Sequence, residues 1–180
     1  PVVAAAVILP DGYDITGIAD SKALSPKKRE TAFARIVADA ALGYEVSGVA
    51  FGIGWSYPGE IDRVNILQAT YAAMRRAVAD LCAAPDAVLV DGLPVPNLHT
   101  HCTAIVKGDA LSASIAAASI IAKVTRDRYM TEADALYPEY GFAGHKGYGA
   151  PVHLLALAEH GACEIHRRSF APVAQTLLPI

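Results

Sequence analysis

The chain has 180 residues, 53% apolar and 18% charged, with a formal net charge of −3. That is enough for one domain with a real core, and it argues against a protein held to nucleic acid by bulk charge alone. Asp, Lys or Gly interrupts every apolar run well short of the roughly 18 residues a membrane span needs, and the opening PVVAAAVIL has neither the basic segment nor the cleavage site of a signal peptide.

Val2 to Leu9 is a continuous apolar run and reads as a central strand, closed by a turn at Pro10-Asp11-Gly12. A polar loop, Gly17 to Lys22, precedes a helix opened by Ser25 as N-cap and Pro26 as first residue, with Gly43 as the expected C-cap glycine. Tyr44 to Ile53 reads as a strand and Trp55 to Gly59 as a loop. Glu60 to Leu81 reads as one helix whose stripe is Val64, Leu67, Tyr71, Met74, Val78 and Leu81.

Two short apolar runs follow, AVLV and CTAIV, each bounded by turn residues and read as buried strands. The first ends on Asp91; the second leads through Lys107-Gly108 to Asp109. An Asp before Gly reads singly as a turn residue, and an Asp before a helix as a cap. As a pair at successive strand ends they read equally as a hard-oxygen site for Mg²⁺ or Mn²⁺. A helix rich in alanine is expected from about Leu111 to just before Pro138, with Lys123 and Asp127 placed for an i,i+4 ion pair. The glycine-punctuated loop Gly141 to Gly149, a short helix from Pro151 to His160, and the basic turn His166 to Phe170 complete the order. Strands and helices in this sequence predict a mixed α/β layer fold.

His99 and His101 form an H-x-H in an expected loop, a zinc reading with no third ligand nearby. Three scattered cysteines, Cys82, Cys102 and Cys163, with no C-x-x-C, argue against a disulfide framework or zinc ribbon and fit a reducing cytoplasm. The tail TLLPI shows no clear docking motif. Residue 1 is a proline leading straight into a strand, which reads as the start of a fragment.

In series, the segments PVVAAAVIL, IADSKALSPKKRE, EIDRVNILQATYAAMRRAV, VLVDG, IVKGD, AASIIAKVTRDRYM and YPEYGFAGHKGYGAPVHLLALAEHGACEIHRRSF resemble the type 2 ribonucleases H, the bacterial ribonuclease HII family, over nearly the whole chain. The resemblance implies an RNase H-like α/β fold, a mixed central sheet flanked by helices. It implies one domain, with a core over residues 1–140 lacking its first strand and a small helical substrate-binding segment over 141–180. It implies an endonuclease that cuts the RNA strand of RNA–DNA hybrids, and a ribonucleotide embedded in duplex DNA, with four carboxylates holding Mg²⁺ or Mn²⁺. Two of these match Asp91 and Asp109. The other two belong to a D-E-x-G-R-G motif that the family carries ahead of the position of Pro1, so the chain as given is expected to cleave poorly. Tyr148 matches the family tyrosine that packs on a sugar at the RNA–DNA junction. Lys22, Lys146, His166, Arg167 and Arg168 are candidate phosphate contacts, although surface cations are also ordinary. A cytoplasmic monomer with a nucleic-acid partner and no membrane is expected. The alternative is a non-catalytic nucleic-acid-binding module.

Overall fold

The computed structural model describes residues 1–176; the end of the TLLPI tail lies outside the described residues. They gather into two compact units, one of residues 3–55 and 70–124, the other of residues 1–2, 56–69 and 125 onward.

The first unit holds the strands. β1 (Val2–Ile8) pairs with β2 (Ala50–Ser56), and β3 (Ala87–Asp91) pairs with β4 (His101–Ile105), as two separate two-stranded sheets. β3 and β4 run parallel, with Val90 opposite Ala104 and Asp91 opposite Ile105. α1 (Pro26–Ala41) starts as its sequence predicts: the Ser25 side chain accepts from the Lys28 amide, and Pro26 needs no amide partner at the first position. Ala117 and Ile121 of α5 (Ala113–Leu136) meet Ile36 and Val49 in a fully buried cluster, against which Ala5, Val7, Phe51 and Ile53 pack. A smaller cluster joins Tyr71 and Val90 to Val95, which comes from the loop between β3 and β4.

Several boundaries differ from expectation, each for a local reason. Gly43, with φ +89, follows the C-cap Leu42 and donates its amide to the Ala40 carbonyl at 3.0 Å, closing α1 as expected, but it also stands ahead of a one-turn helix, α2 (Tyr44–Ser47), so the expected strand begins only at Ala50. That strand continues through Trp55 and Ser56, residues expected in a loop. β2 buries Ala50, Gly52, Gly54 and Ser56 in strict alternation. Its glycines admit the backbone of α3 (Pro58–Ala79): a Cβ on Gly54 would lie 1.9 Å from the Ala73 carbonyl oxygen, and one on Gly52 2.2 Å from that of Ala77. α3 therefore packs through Ala73 and Ala77, both buried, and leaves Leu67 of the expected stripe 49% exposed. Nor is that helix continuous. Asn65 has φ +68 and its Oδ1 accepts from the Gln68 amide, capping a fresh start within α3.

The second unit is helical and aromatic. Met130, Ala133, Tyr140, Phe142, Leu157 and Val173 form its core, drawn from the end of α5, from the short turns of residues 138–145, from α7 (Pro151–His160) and from the helix Ala171–Thr176. The expected loop after Tyr140 contains a one-turn helix, α6 (Phe142–His145). Among the described residues no helix is long and apolar enough to cross a membrane.

Candidate metal centre and nucleic-acid face

Asp91 is the last residue of β3 and is exposed. The ladder runs one step past it, where the Gly92 amide donates to the Ile105 carbonyl at 2.9 Å. After β4, Lys107 takes a left-handed conformation (φ +57) and turns the chain into α4 (Gly108–Leu111), a single turn that ends at extended Ser112. The helix expected near Leu111 thus begins as two pieces, α4 and then α5.

That turn is held against the end of β3. The Gly108 amide donates to Asp91 Oδ1 at 2.8 Å, and Asp109 is the next residue. Gly108 is buried, and a Cβ there would meet Ile115 Cδ1 at 2.6 Å and the Asp91 Cα at 3.5 Å. The missing side chain is what lets the turn sit against the end of the strand. Asp109 is half-buried. One carboxylate oxygen of Asp91 is engaged by an amide, and the remaining oxygens of the pair are the hard donors that Mg²⁺ or Mn²⁺ takes. Among the described residues no three His, Cys, Asp or Glu side chains cluster to hold a metal, so this pair fits part of such a cation's shell and leaves the rest to other ligands. His99 and His101 likewise meet no third ligand among the described residues, and His101 opens β4. Lys22 is exposed in the loop before α1, where its amide donates to Asp20 Oδ1 at 2.8 Å and Arg29 holds the Ser21 carbonyl.

The other candidates lie in the second unit. Tyr148 is 62% exposed, and the Arg126 guanidinium stands 5.1 Å from its ring centroid. Gly147, at φ +78, brings the tyrosine past the Met130 side chain and Arg126. Lys146 is half-buried and its ammonium donates to Thr131 Oγ1 at 2.8 Å. Arg167 lies 5.2 Å over the Phe170 ring; burial, and then the charge of Arg126, push its guanidinium below the usual range. Arg168 is exposed, and its backbone is pinned. Asp62 accepts from the amides of Arg168 (2.8 Å) and Ser169 (2.9 Å) and from the Ser169 hydroxyl (2.5 Å). Partial burial opposes ionisation of Asp62, but these donors, Ser169 foremost, hold its carboxyl below the usual carboxylate range.

His166 is placed differently from its neighbours in the basic turn. It is 7% exposed, its Nε2 is 3.0 Å from His153 Nε2, and its Nδ1 accepts from the Cys163 amide at 3.1 Å. His145 and His153 stack at 4.4 Å, and Tyr140 and Phe142 pack on His166. Burial, and then the neighbouring His153, push the His166 imidazole down to about 4, so it is neutral at pH 7 and turned inward, away from any phosphate. Sequence reasoning missed Asp62, which is 106 residues from the turn it holds. It also passed over Arg126 as one more cation on a polar helix face, where nothing in the spacing marks a ring partner.

The mixed α/β arrangement of these strands and helices is that of the RNase H-like class. The fold has solved counterparts in the ribonuclease H2 of Pyrococcus horikoshii (TM-score 0.72, 24% identity, 98% of this chain and 91% of that one) and the ribonuclease HII of Archaeoglobus fulgidus, solved in complex with PCNA (TM-score 0.70, 22% identity, 99% and 90%). The family model for ribonuclease HII matches residues 1–173, and the chain belongs to that family. Relatives named ribonuclease HII include those of Desulfitobacterium hafniense (54% identity), Geotalea uraniireducens (53%) and an Acidovorax species (56%), matched over 97–98% of this chain. The chain spans 65% of the length of the first, 77% of the second and 81% of the third.

Proposed function

We propose that this chain carries two of the metal-binding carboxylates, Asp91 and Asp109, of an endoribonuclease that hydrolyses the RNA strand of RNA–DNA hybrids and cuts at ribonucleotides embedded in duplex DNA. The observation behind this reading is the hydrogen bond from the Gly108 amide to Asp91 Oδ1, which holds the turn that carries Asp109 against the end of β3. Family membership supports the reaction class. Two divalent cations, Mg²⁺ or Mn²⁺, would supply an activated water and charge relief at the scissile phosphate. Asp91 presents the oxygen that Gly108 leaves free, and Asp109 adds its carboxylate from the neighbouring turn. The adjacent Asp and Glu of the family's D-E-x-G-R-G motif would be the further ligands the pair requires.

In the second unit, Tyr148 offers an exposed aromatic face that packs on a sugar beside a 2′-hydroxyl, the contact that separates RNA from DNA. Arg168, held by Asp62, together with Lys22, Arg167 and Lys146, supplies phosphate contacts without sequence readout. The PCNA partner of the A. fulgidus protein makes a sliding clamp a partner class to be tested here.

The experiment is cleavage of a labelled duplex containing one ribonucleotide, in Mg²⁺ or Mn²⁺, by this chain joined to the D-E-x-G-R-G segment. The joined chain is expected to cut, and Asp91→Asn and Asp109→Asn each to slow it by about 100-fold or more. Equilibrium dialysis with Mn²⁺ should show the same variants losing metal. A joined chain that does not cut, or an Asp91→Asn variant that cuts as before, overturns the assignment.

A further inference from the structure

We infer, resting on the reading of Tyr148 as the ring that packs on a sugar, that His145 and His153 are positioning residues for that tyrosine, locked in turn by His166. The segment that carries Tyr148 is strained. Lys146 and Gly147 both take left-handed backbone, φ +53 and +78, a conformation that a lysine keeps only where its surroundings hold it. Two imidazoles hold it. The Gly147 amide donates to His145 Nδ1 at 3.1 Å, and His153 Nδ1 lies 2.8 Å from the Tyr148 carbonyl oxygen. The two rings stack, with centroids 4.4 Å apart and planes 12° apart, so a single stack grips two successive residues of the turn. The phenol ring itself is exposed beside Arg126, and its backbone is the part that the core can hold.

These bonds leave each ring one place for its hydrogen. His145 accepts at Nδ1, so its hydrogen is on Nε2, which lies 2.8 Å from the Tyr140 carbonyl oxygen. A carbonyl cannot donate, so His153 carries its hydrogen on Nδ1 and its Nε2 is a bare acceptor. Across the 3.0 Å contact His166 must then donate from Nε2, and it can, because its Nδ1 accepts from the Cys163 amide at 3.1 Å. Moving the hydrogen of either His153 or His166 would set two donors or two lone pairs face to face. Both rings are buried against Phe142, and burial lowers the proton affinity of each. Apolar side chains would fill this core as well. What they cannot do is bond to Gly147 and Tyr148. With that backbone fixed, the ring meets a sugar already aimed.

Two measurements test this. Ring ¹⁵N signals of the 180-residue chain should place the hydrogen on Nδ1 of His153 and on Nε2 of His166. Then kcat/KM is measured on a duplex with one ribonucleotide, using the chain joined to the D-E-x-G-R-G segment, alongside urea midpoints. Tyr148→Ala and His153→Leu are each expected to lower kcat/KM by about tenfold, and the double variant by no more than either. An Asn amide nitrogen at position 153 can stand where Nδ1 stood. His153→Asn is therefore expected to recover most of the loss, to within about threefold of the parent, although like leucine it gives up the bond to His166. Should His153→Leu fail to fold, the ring signals and His153→Asn still decide. A hydrogen on Nε2 of His153, a folded His153→Leu that cuts like the parent while Tyr148→Ala does not, or a His153→Asn that falls as far as leucine overturns this inference alone. The last outcome would assign the imidazoles to packing. A Tyr148→Ala that cuts like the parent overturns the reading of Tyr148, and this inference with it.

Discussion

Gly54 gives the sharpest test of how the first unit is packed. In Gly54→Ala the new Cβ would sit 1.9 Å from the Ala73 carbonyl oxygen and 2.7 Å from the Ala77 amide nitrogen. Carbon–oxygen contacts begin near about 3.3 Å, so α3 must withdraw by more than roughly 1 Å. Both obstacles are backbone, and no rotamer change relieves them. The withdrawal opens the faces of Ala73 and Ala77, which are 0% and 1% exposed. Overpacking of this kind costs about 3 kcal/mol or more, which for a chain of this size lowers Tm by roughly 6–12 °C. Trp55, the single tryptophan, neighbours Gly54 on β2, so its fluorescence during urea unfolding reports the right element. The comparison is Gly59→Ala, where a Cβ would meet nothing within 4 Å and a change within about 1 kcal/mol is expected. If Gly54→Ala unfolds at the same urea concentration as the parent, β2 and α3 are not in this contact and the packing argument fails.

Acid should loosen the second unit. His166 binds its proton at about 4 in the folded chain and near 6.5 when unfolded, so the unfolded state takes up the proton first as pH falls. The stability contributed by the neutral ring is complete above about pH 6.5 and is lost progressively toward pH 4; at about 1.4 kcal/mol per tenfold change in proton affinity this amounts to roughly 3 kcal/mol. His153, lowered in the same direction by burial, adds to it. Urea midpoints measured from pH 7 to 4.5 should fall less steeply for His166→Phe than for the parent, and parallel slopes would exclude the mechanism. Asp62→Ala removes three hydrogen bonds from the Arg168–Ser169 turn and is expected to cost about 1–2 kcal/mol. Trypsin should then cut after Arg167 or Arg168 several times faster, whereas an unchanged nicking rate would show the turn to be held by something else.

The features legible in the sequence were those written locally. Continuous apolar runs marked β1, β3 and β4, Ser25-Pro26 marked the start of α1, and the positions of Asp91 at the end of β3 and of Asp109 after β4 followed from those runs. What could not be read depended on partners distant in the chain. The face of α3 was read in part: Tyr71 and Met74 of the stripe pack with Val90 and Val95, but periodicity counts large side chains, whereas β2 is met by Ala73 and Ala77 through glycines that only the folded strand places opposite them. The Asn65 interruption was hidden because the apolar spacing runs on through it. His166 looked like part of a solvent-facing cationic string, and only the packing of Tyr140, Phe142 and His153 shows it turned inward.

The amide of Gly108 does more than hold a turn against β3. By fixing one oxygen of Asp91 it restrains rotation of the carboxyl group, so a cation at the proposed site would meet an acceptor already aimed and little side-chain entropy would remain to be lost. Charge alone cannot reproduce that. A glutamate at position 91 keeps the negative charge but carries one more methylene, and it cannot hold the amide and keep its other oxygen in the same place.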